Sequence, residues 1–271
     1  MTAFRLPRTV RHFRRAGAHG LPAILSVVTA LLLWEALVRL FPIPSWLLPA
    51  PSAVLQELWR DRAVIAGHAE TTVLEAAAGL LLGAGLAIPV ATLMALVPLL
   101  RQVMYPLFVI SQTIPTIALA PLILVWFGYG MLPKVLVVAL VTFFPLAVSL
   151  AEGYRQVDPR MVRLLQTMGA RTGHILRYLL WPHALPSFFA GLRIATTYSV
   201  TGAVVGEWLG ATKGLGIYLV RAAKSFRADR LFAVITVIVL LSLLFFGVVE
   251  LLARYTLRWQ RNAEGYWREA E

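Results

Sequence analysis

The sequence predicts an all-α protein that crosses a membrane about six times, and three observations support that fold class. Apolar residues make up 59% of the chain and charged residues only 14%, with a mean hydropathy of +0.75. A soluble domain has roughly 45–50% and about 25%. Apolar runs of about 20 residues, enough for a helix to cross the hydrocarbon core, recur along the chain. The 25 lysines and arginines gather mostly between those runs. The formal charge of +12 fits basic loops kept on the cytoplasmic side of a membrane, so no nucleic-acid partner is expected. There is no cysteine, which removes disulfides and thiolate metal sites.

Residues 1–21 form a basic tail with five arginines and no acid, expected in the cytoplasm. The run 22–41 is too long for a signal-peptide core and no small-residue cleavage site follows it, so it reads as a retained first span. Within it Glu35 and Arg39 stand four apart and can pair on one face. Residues 42–66 are too rich in proline and polar groups to cross. They read as an external linker with an amphipathic helix from Ser52 to Arg60, and Trp46 and Trp59 suit an interfacial belt. The second span, 71–97, carries Gly79, Gly83 and Gly85 for close helix approach. Glu70 and Glu75 are expected at its outer end, within reach of water or a partner.

The third span covers 103–127 and contains Gln112, Thr113, Pro115 and Pro121. Prolines this close free backbone carbonyls, which is tolerated only where protein or a water-filled cavity receives them. The fourth span is 133–153, the fifth 187–209 and the sixth 231–253; 256–271 is a second basic tail. Six spans put both termini on one side. With the tails in the cytoplasm, about fifteen Lys and Arg face inward and about eight outward, as the positive-inside rule expects. The five basic residues at 213–230 break the rule and read as an amphipathic or re-entrant external segment.

The longest interruption in the second half is the loop 154–186, which has five arginines: Arg155, Arg160, Arg163, Arg171 and Arg177. Asp158 followed by Pro159 reads as an N-cap and first helical residue. Leu164, Leu165 and Met168 give this first loop helix an apolar side, and Gly169 is its expected stop. After Ala170, Thr172 can cap a second loop helix with Ile175, Leu176, Leu179 and Leu180 on one face, which Pro182 is expected to halt. Two short helices around a glycine, wedged between spans, read as a docking surface for another protein.

Chemistry of the chain's own is missing. No Gly-x-x-x-x-Gly-Lys-Ser/Thr loop and no Gly-x-Ser-x-Gly elbow occurs, and the histidines do not stand at metal-ligand spacings. No catalytic residue and no metal site is expected. Arg193 lies close enough to the end of its span to snorkel. Gln112, Thr113 and Thr116 on the third span, with Tyr198, Thr201 and Glu207 on the fifth, either line a shared substrate path or bond neighbouring helices.

The loop resembles the signature of inner-membrane permeases of ATP-binding-cassette importers. Gly169 matches the family's loop glycine, Leu179 its apolar position and Pro182 its proline. Arg163, Leu164 and Leu165 stand where Glu-Ala-Ala is usual, and Trp181 replaces a leucine. The stretches LPAPSAVLQEL at 48–58, IPTIALAPLILVWFGYG at 114–130 and GEWLGATKGLGIYL at 206–219 are similar to the nitrate/sulfonate/taurine-type branch. FFPLAVSL, PSFFAGLRIA and YSVTGAVVGEWLGA look like members that import pyrimidine precursors of thiamine.

The resemblance implies a type I importer permease fold over 67–255 in a prokaryotic inner membrane. It implies a second copy of the chain, a cytoplasmic ATPase dimer holding ATP and Mg, an external substrate-binding protein, and no cofactor in this chain. The second loop helix would set Ile175, Leu176 and Leu179 into a groove of the ATPase. The rival reading is a secondary transporter or channel without an ATPase. It predicts an inverted repeat, and no convincing repeat is found.

Overall fold

The computed structural model describes residues 20–258 apart from Pro42, Gln112 and Leu209. The tail residues 1–19 and 259–271, and the candidate path residue Gln112, therefore lie outside the described residues. Every regular element among those described is helical: α1 (Gly20–Leu40), α2 (Pro51–Arg60), α3 (Arg62–Leu96), α4 (Pro98–Ser111), α5 (Thr116–Phe127), α6 (Met131–Arg155), α7 (Pro159–Thr167), α8 (Thr172–Ile175), α9 (Trp181–Glu207), α10 (Leu215–Lys224) and α11 (Ala228–Thr256). A π-turn over Leu176–Leu180 joins α8 to α9.

Four helices among the described residues are long and apolar enough to cross a membrane: Arg62–Leu96, Met131–Arg155, the joined Thr172–Glu207, and Ala228–Thr256. α6 lies at the centre with α3 and α9 against it, and α11 covers α9. Leu80, Ala87, Met94, Phe108, Leu146, Ala147 and Ala195 form the largest buried cluster. The core is rich in small residues because lipid gives no hydrophobic drive between helices, so close backbone packing must hold them. Gly79 and Gly83 of α3 sit against Val138, Ala139 and Thr142 of α6, leaving no room for a Cβ.

The third span differs from its expectation. Instead of one helix over 103–127, α4 and α5 have 14 and 12 residues, each too short to cross alone. The cause is local. Pro115 has no N–H to donate and disfavours helical backbone at Ile114, so it becomes the N-cap of α5. Pro106 and Pro121 remain inside their helices.

α1 is fastened to the rest by one carboxylate. Glu35 accepts from Arg39 Nε at 2.6 Å, from the Ser52 backbone N–H at 3.0 Å and from the Ser52 hydroxyl at 2.8 Å. Ala50, at the N-cap of α2, has no side-chain bond of its own to offer, so α1 supplies the cap that α2 lacks. Trp34 of α1 also packs on Phe232 of α11, with ring centroids 5.5 Å apart.

The bundle has a loop end, where α7 lies, and a far end, where α10 packs against α3, α9 and α11.

Candidate functional site

Local signals shape α7. The Asp158 carboxylate accepts from the Arg160 N–H at 2.8 Å and Pro159 begins the helix. Gly169 ends it at φ +82°, in the left-handed region that glycine enters without steric cost. Its N–H donates to the Gln166 carbonyl at 3.0 Å and the Ala170 N–H to the Leu165 carbonyl at 2.9 Å, the paired bonds of a Schellman stop. No residue of α7 is buried. Met161, Leu164 and Met168 are 54%, 58% and 74% exposed, with Arg160 and Arg163 exposed beside them.

The second loop helix departs from expectation in three ways. Arg171, rather than Thr172, is its N-cap, and it makes no side-chain cap bond. Pro182 does not halt it. Proline lacks an N–H and crowds the carbonyl four residues back, but the preceding π-turn shifts the bonding so that the Trp181 N–H donates to the Leu176 carbonyl. The helix runs on past it, 36 residues in all, Thr172–Glu207. That continuity presses its apolar side onto the chain's own body. Ile175 is only 4% exposed, and Leu176 and Leu180 pack on Ala91, Leu150, Tyr154 and Ala184. Leu179 is half-buried. Ile175 is thus not free to enter a partner's groove, and the exposed apolar side chains of the loop are Met161, Leu164 and Met168 of the α7 segment, with Tyr178.

Of the candidate path residues, Tyr198 lines a cleft of about 300 Å³ with Ser111, Ile114, Leu119, Leu140 and Phe144. Thr113 is exposed beside it, its hydroxyl donating to the Ile110 carbonyl at 2.7 Å. Thr201 is exposed on α9 and donates to the Thr197 carbonyl at 3.2 Å. Thr116 opens α5, and its side chain lies outside those described. Glu207 does not join them: it is fully buried within a second polar site at the far end.

There Glu207 accepts from the Thr72 hydroxyl at 2.6 Å and from the Gly216 N–H. Thr72 in turn accepts from the Leu215 N–H at 2.9 Å, and His68 Nδ1 from the Gly214 N–H at 3.0 Å. Three successive amides entering α10 are therefore held by side chains of α3 and α9. A Cβ on Gly216 would overlap the Val204 carbonyl and the Glu207 carboxylate. Alongside, Lys134 donates to Glu75 at 2.7 Å, both buried. Glu75 is therefore not at a wet outer end as expected, and its second oxygen has no hydrogen-bond donor.

The basic residues at 213–230 are partly matched. Arg227 pairs with Glu57 and Asp229, and Arg230 with Glu57 and Asp61, at 2.7–3.1 Å. Tyr218 donates to Asp61 at 2.7 Å. Burial, reinforced by that acceptor, pushes its phenol above the usual range, so it stays a donor. Arg193 does not snorkel free but bonds Glu250 at 2.8 Å. His68, Thr72 and Lys134 carried no signal in the sequence beyond one: Glu75 and Lys134 are opposite charges inside apolar runs, which need partners.

Residues 79–258 match the model of the family described as binding-protein-dependent transport system inner membrane component. The chain is 36% identical to a probable ABC transporter permease protein of Haemophilus influenzae, over 87% of this chain and 96% of that one. It is 37% identical to the formylaminopyrimidine transport permease protein ThiX of Halalkalibacterium halodurans, over 90% and 97%. Its fold is similar to that of an inward-facing methionine ABC transporter, MetNI, with a TM-score of 0.64 at 18% identity, covering 72% of this chain and 97% of that one.

Proposed function

We propose, for a chain that belongs to the family of binding-protein-dependent transport system inner membrane components, that it admits a small nitrogen heterocycle of the thiamine-pyrimidine type to the cytoplasm. The multi-pass, non-catalytic permease subunit is what the family and relatives establish; the cargo and arrangement are the further step. In this reading the chain works as a homodimer with both termini in the cytoplasm. An external binding protein delivers the solute and a cytoplasmic ATPase pair drives the cycle. Relatives named for a formylaminopyrimidine and for riboflavin are 37% and 33% identical, against 27–30% for those named for aliphatic sulfonates and 29% for one named for taurine. That ordering supports a heterocycle over a sulfonate.

The observation that carries the coupling role is α7, a helix with no buried residue whose apolar side chains face outward. Such a stripe fits a groove on a partner. Arg163, where the family has glutamate, would meet an acceptor there rather than a base. Closure of the ATPase pair on ATP would then shift α7, and packed helices answer such a shift by switching between discrete arrangements. Thr113, Tyr198 and Thr201, with Gln112 and Thr116 as further candidates, would border the path, the homodimer mate completing it.

The experiment is reconstituted uptake with Leu164→Asp and Met168→Asp. Both should insert and melt as wild type does, within about 0.5 kcal/mol as exposed sites do, yet lose uptake and ATPase co-purification. Retained uptake in both would end the coupling role of α7. A thermal-shift screen of the cognate binding protein against thiamine pyrimidines, taurine, alkanesulfonates and nitrate tests the cargo. The true ligand should stabilise it by about 2.7 kcal/mol at a hundredfold excess over Kd.

A further inference from the structure

We propose that the cleft between α4 and the end of α6, at the loop end of the bundle, binds a singly charged phosphate diester of the kind an anionic phospholipid carries in its headgroup. The cleft has a volume of about 420 Å³ and is lined by Arg101, Gln102, Tyr105, Pro106, Glu152 and Arg155. Arg101 lies in the first turn of α4, and Arg155 is the last residue of α6. α3 and α6 are both long enough to cross a membrane. The turn after α3 and the end of α6 therefore stand at the level of headgroups rather than of acyl chains. Basic pockets between spanning helices are where phosphorylated headgroups dock.

The donors of the cleft are largely unspent. Arg155 bonds Glu152 through Nε at 3.1 Å and Nη2 at 2.6 Å, which leaves Nη1. Among the described residues Arg101 has no ion pair, and neither the Tyr105 hydroxyl nor the Gln102 side-chain amide has a hydrogen bond. All four side chains are exposed. Two guanidiniums against one carboxylate leave the cleft with one positive charge, which a phosphate diester cancels. A carboxylate ligand would cancel it too, but offers two oxygens to four donor groups. Guanidinium forks take phosphate oxygens in pairs, and the tyrosine hydroxyl and amide add single bonds to the same tetrahedral group. Tyr105 and Pro106 give an apolar wall for the carbon skeleton beside the phosphate. Bound there, the anion ties α4, too short to cross by itself, to α6. A soluble diester presents the same phosphate, so the acyl chains decide the source.

The test uses the delipidated full-length chain in an uncharged detergent at fixed ionic strength, read by native mass spectrometry and by unfolding temperature. The probes are phosphatidylglycerol, its deacylated headgroup glycerophosphoglycerol, and phosphatidylcholine. Phosphatidylglycerol should be retained and should raise the unfolding temperature. Phosphatidylcholine, whose ammonium offsets its phosphate, should do neither. Arg101→Gln should melt as wild type does without lipid, yet bind phosphatidylglycerol about tenfold more weakly, as the loss of a bond to a charged group predicts. Tyr105→Phe should weaken it by less. Arg258→Gln removes an exposed arginine at the same end of the bundle but outside the cleft, and should change nothing. Glycerophosphoglycerol bound as tightly as the lipid, and lost in Arg101→Gln, supports the phosphate site and assigns it to a soluble diester. Wild type that retains neither probe overturns the proposal. So does binding that Arg101→Gln leaves intact, or that Arg258→Gln lowers as much, because the anion would then be held by general charge and not by the cleft.

Discussion

At the loop end, α7 is set by bonds that reach two to five residues along the chain, from Asp158 to Arg160 and from Ala170 to Leu165. At the far end, the α10 amides and their holders are linked across separations of 9, 135, 143 and 146 residues. The first region is exposed and can be redrawn with little effect on the bundle. The second is buried, and each group removed leaves another unsatisfied. A transporter needs both: a surface free to be taken up by a motor, and a fixed body for that motor to move.

Several substitutions would break or sharpen this contrast. Lys134→Met should have the largest effect, because it leaves Glu75 buried and unpaired; losing one partner of such a pair costs about 3–5 kcal/mol, read as thermal unfolding in detergent. A loss below about 1 kcal/mol would show that buried charge does not hold the far end. Gly216→Ala forces a Cβ against the Val204 carbonyl and should cost up to about 3 kcal/mol, where Gly169→Ala, with open space around it, meets only backbone strain of about 1–2 kcal/mol. Equal losses would erase the difference between the ends. Asp158→Ala removes one cap and should cost about 1 kcal/mol, visible as faster amide exchange confined to α7.

The smallest effect concerns pH. Because the Tyr218 phenol is raised above its unfolded value of about 10, the folded state holds its proton more tightly. Its contribution is complete below pH 10 and is lost as pH climbs towards the folded value. Tyr218→Phe should flatten the alkaline limb of the stability curve and, by removing the hydrogen bond to Asp61, also lower stability at neutral pH.

The same contrast explains what could be read from the residues alone. Helical class, membrane character and the Asp158–Pro159 start and Gly169 stop are written in composition and short spacing. The amphipathic Ser52–Arg60 segment also corresponds to a helix, α2. Pro182 misled because a π-turn, invisible in any residue pattern, carries the helix past it. Ile175 misled because an apolar face says that something will cover it, not what. Composition alone groups Glu207 with Tyr198 and Thr201 as polar residues of one span. Six residues on from Thr201, however, a helix has turned by about 240°, so Glu207 faces another side. Arg227 has a local partner in Asp229, but its bond to Glu57 and those of Arg230 to Glu57 and Asp61 come from far along the chain, which no local rule supplies.

Glu35 has a consequence for anyone recombining these proteins. The matched family region begins at residue 79, which marks the first two helices as an obvious module to exchange between relatives. No seam can fall between these two helices, because one acidic side chain in the leading helix completes the start of the next. A hybrid joined between them inherits bare amides at Ser52 unless its donor brings an equivalent acid, so the exchangeable unit is the pair.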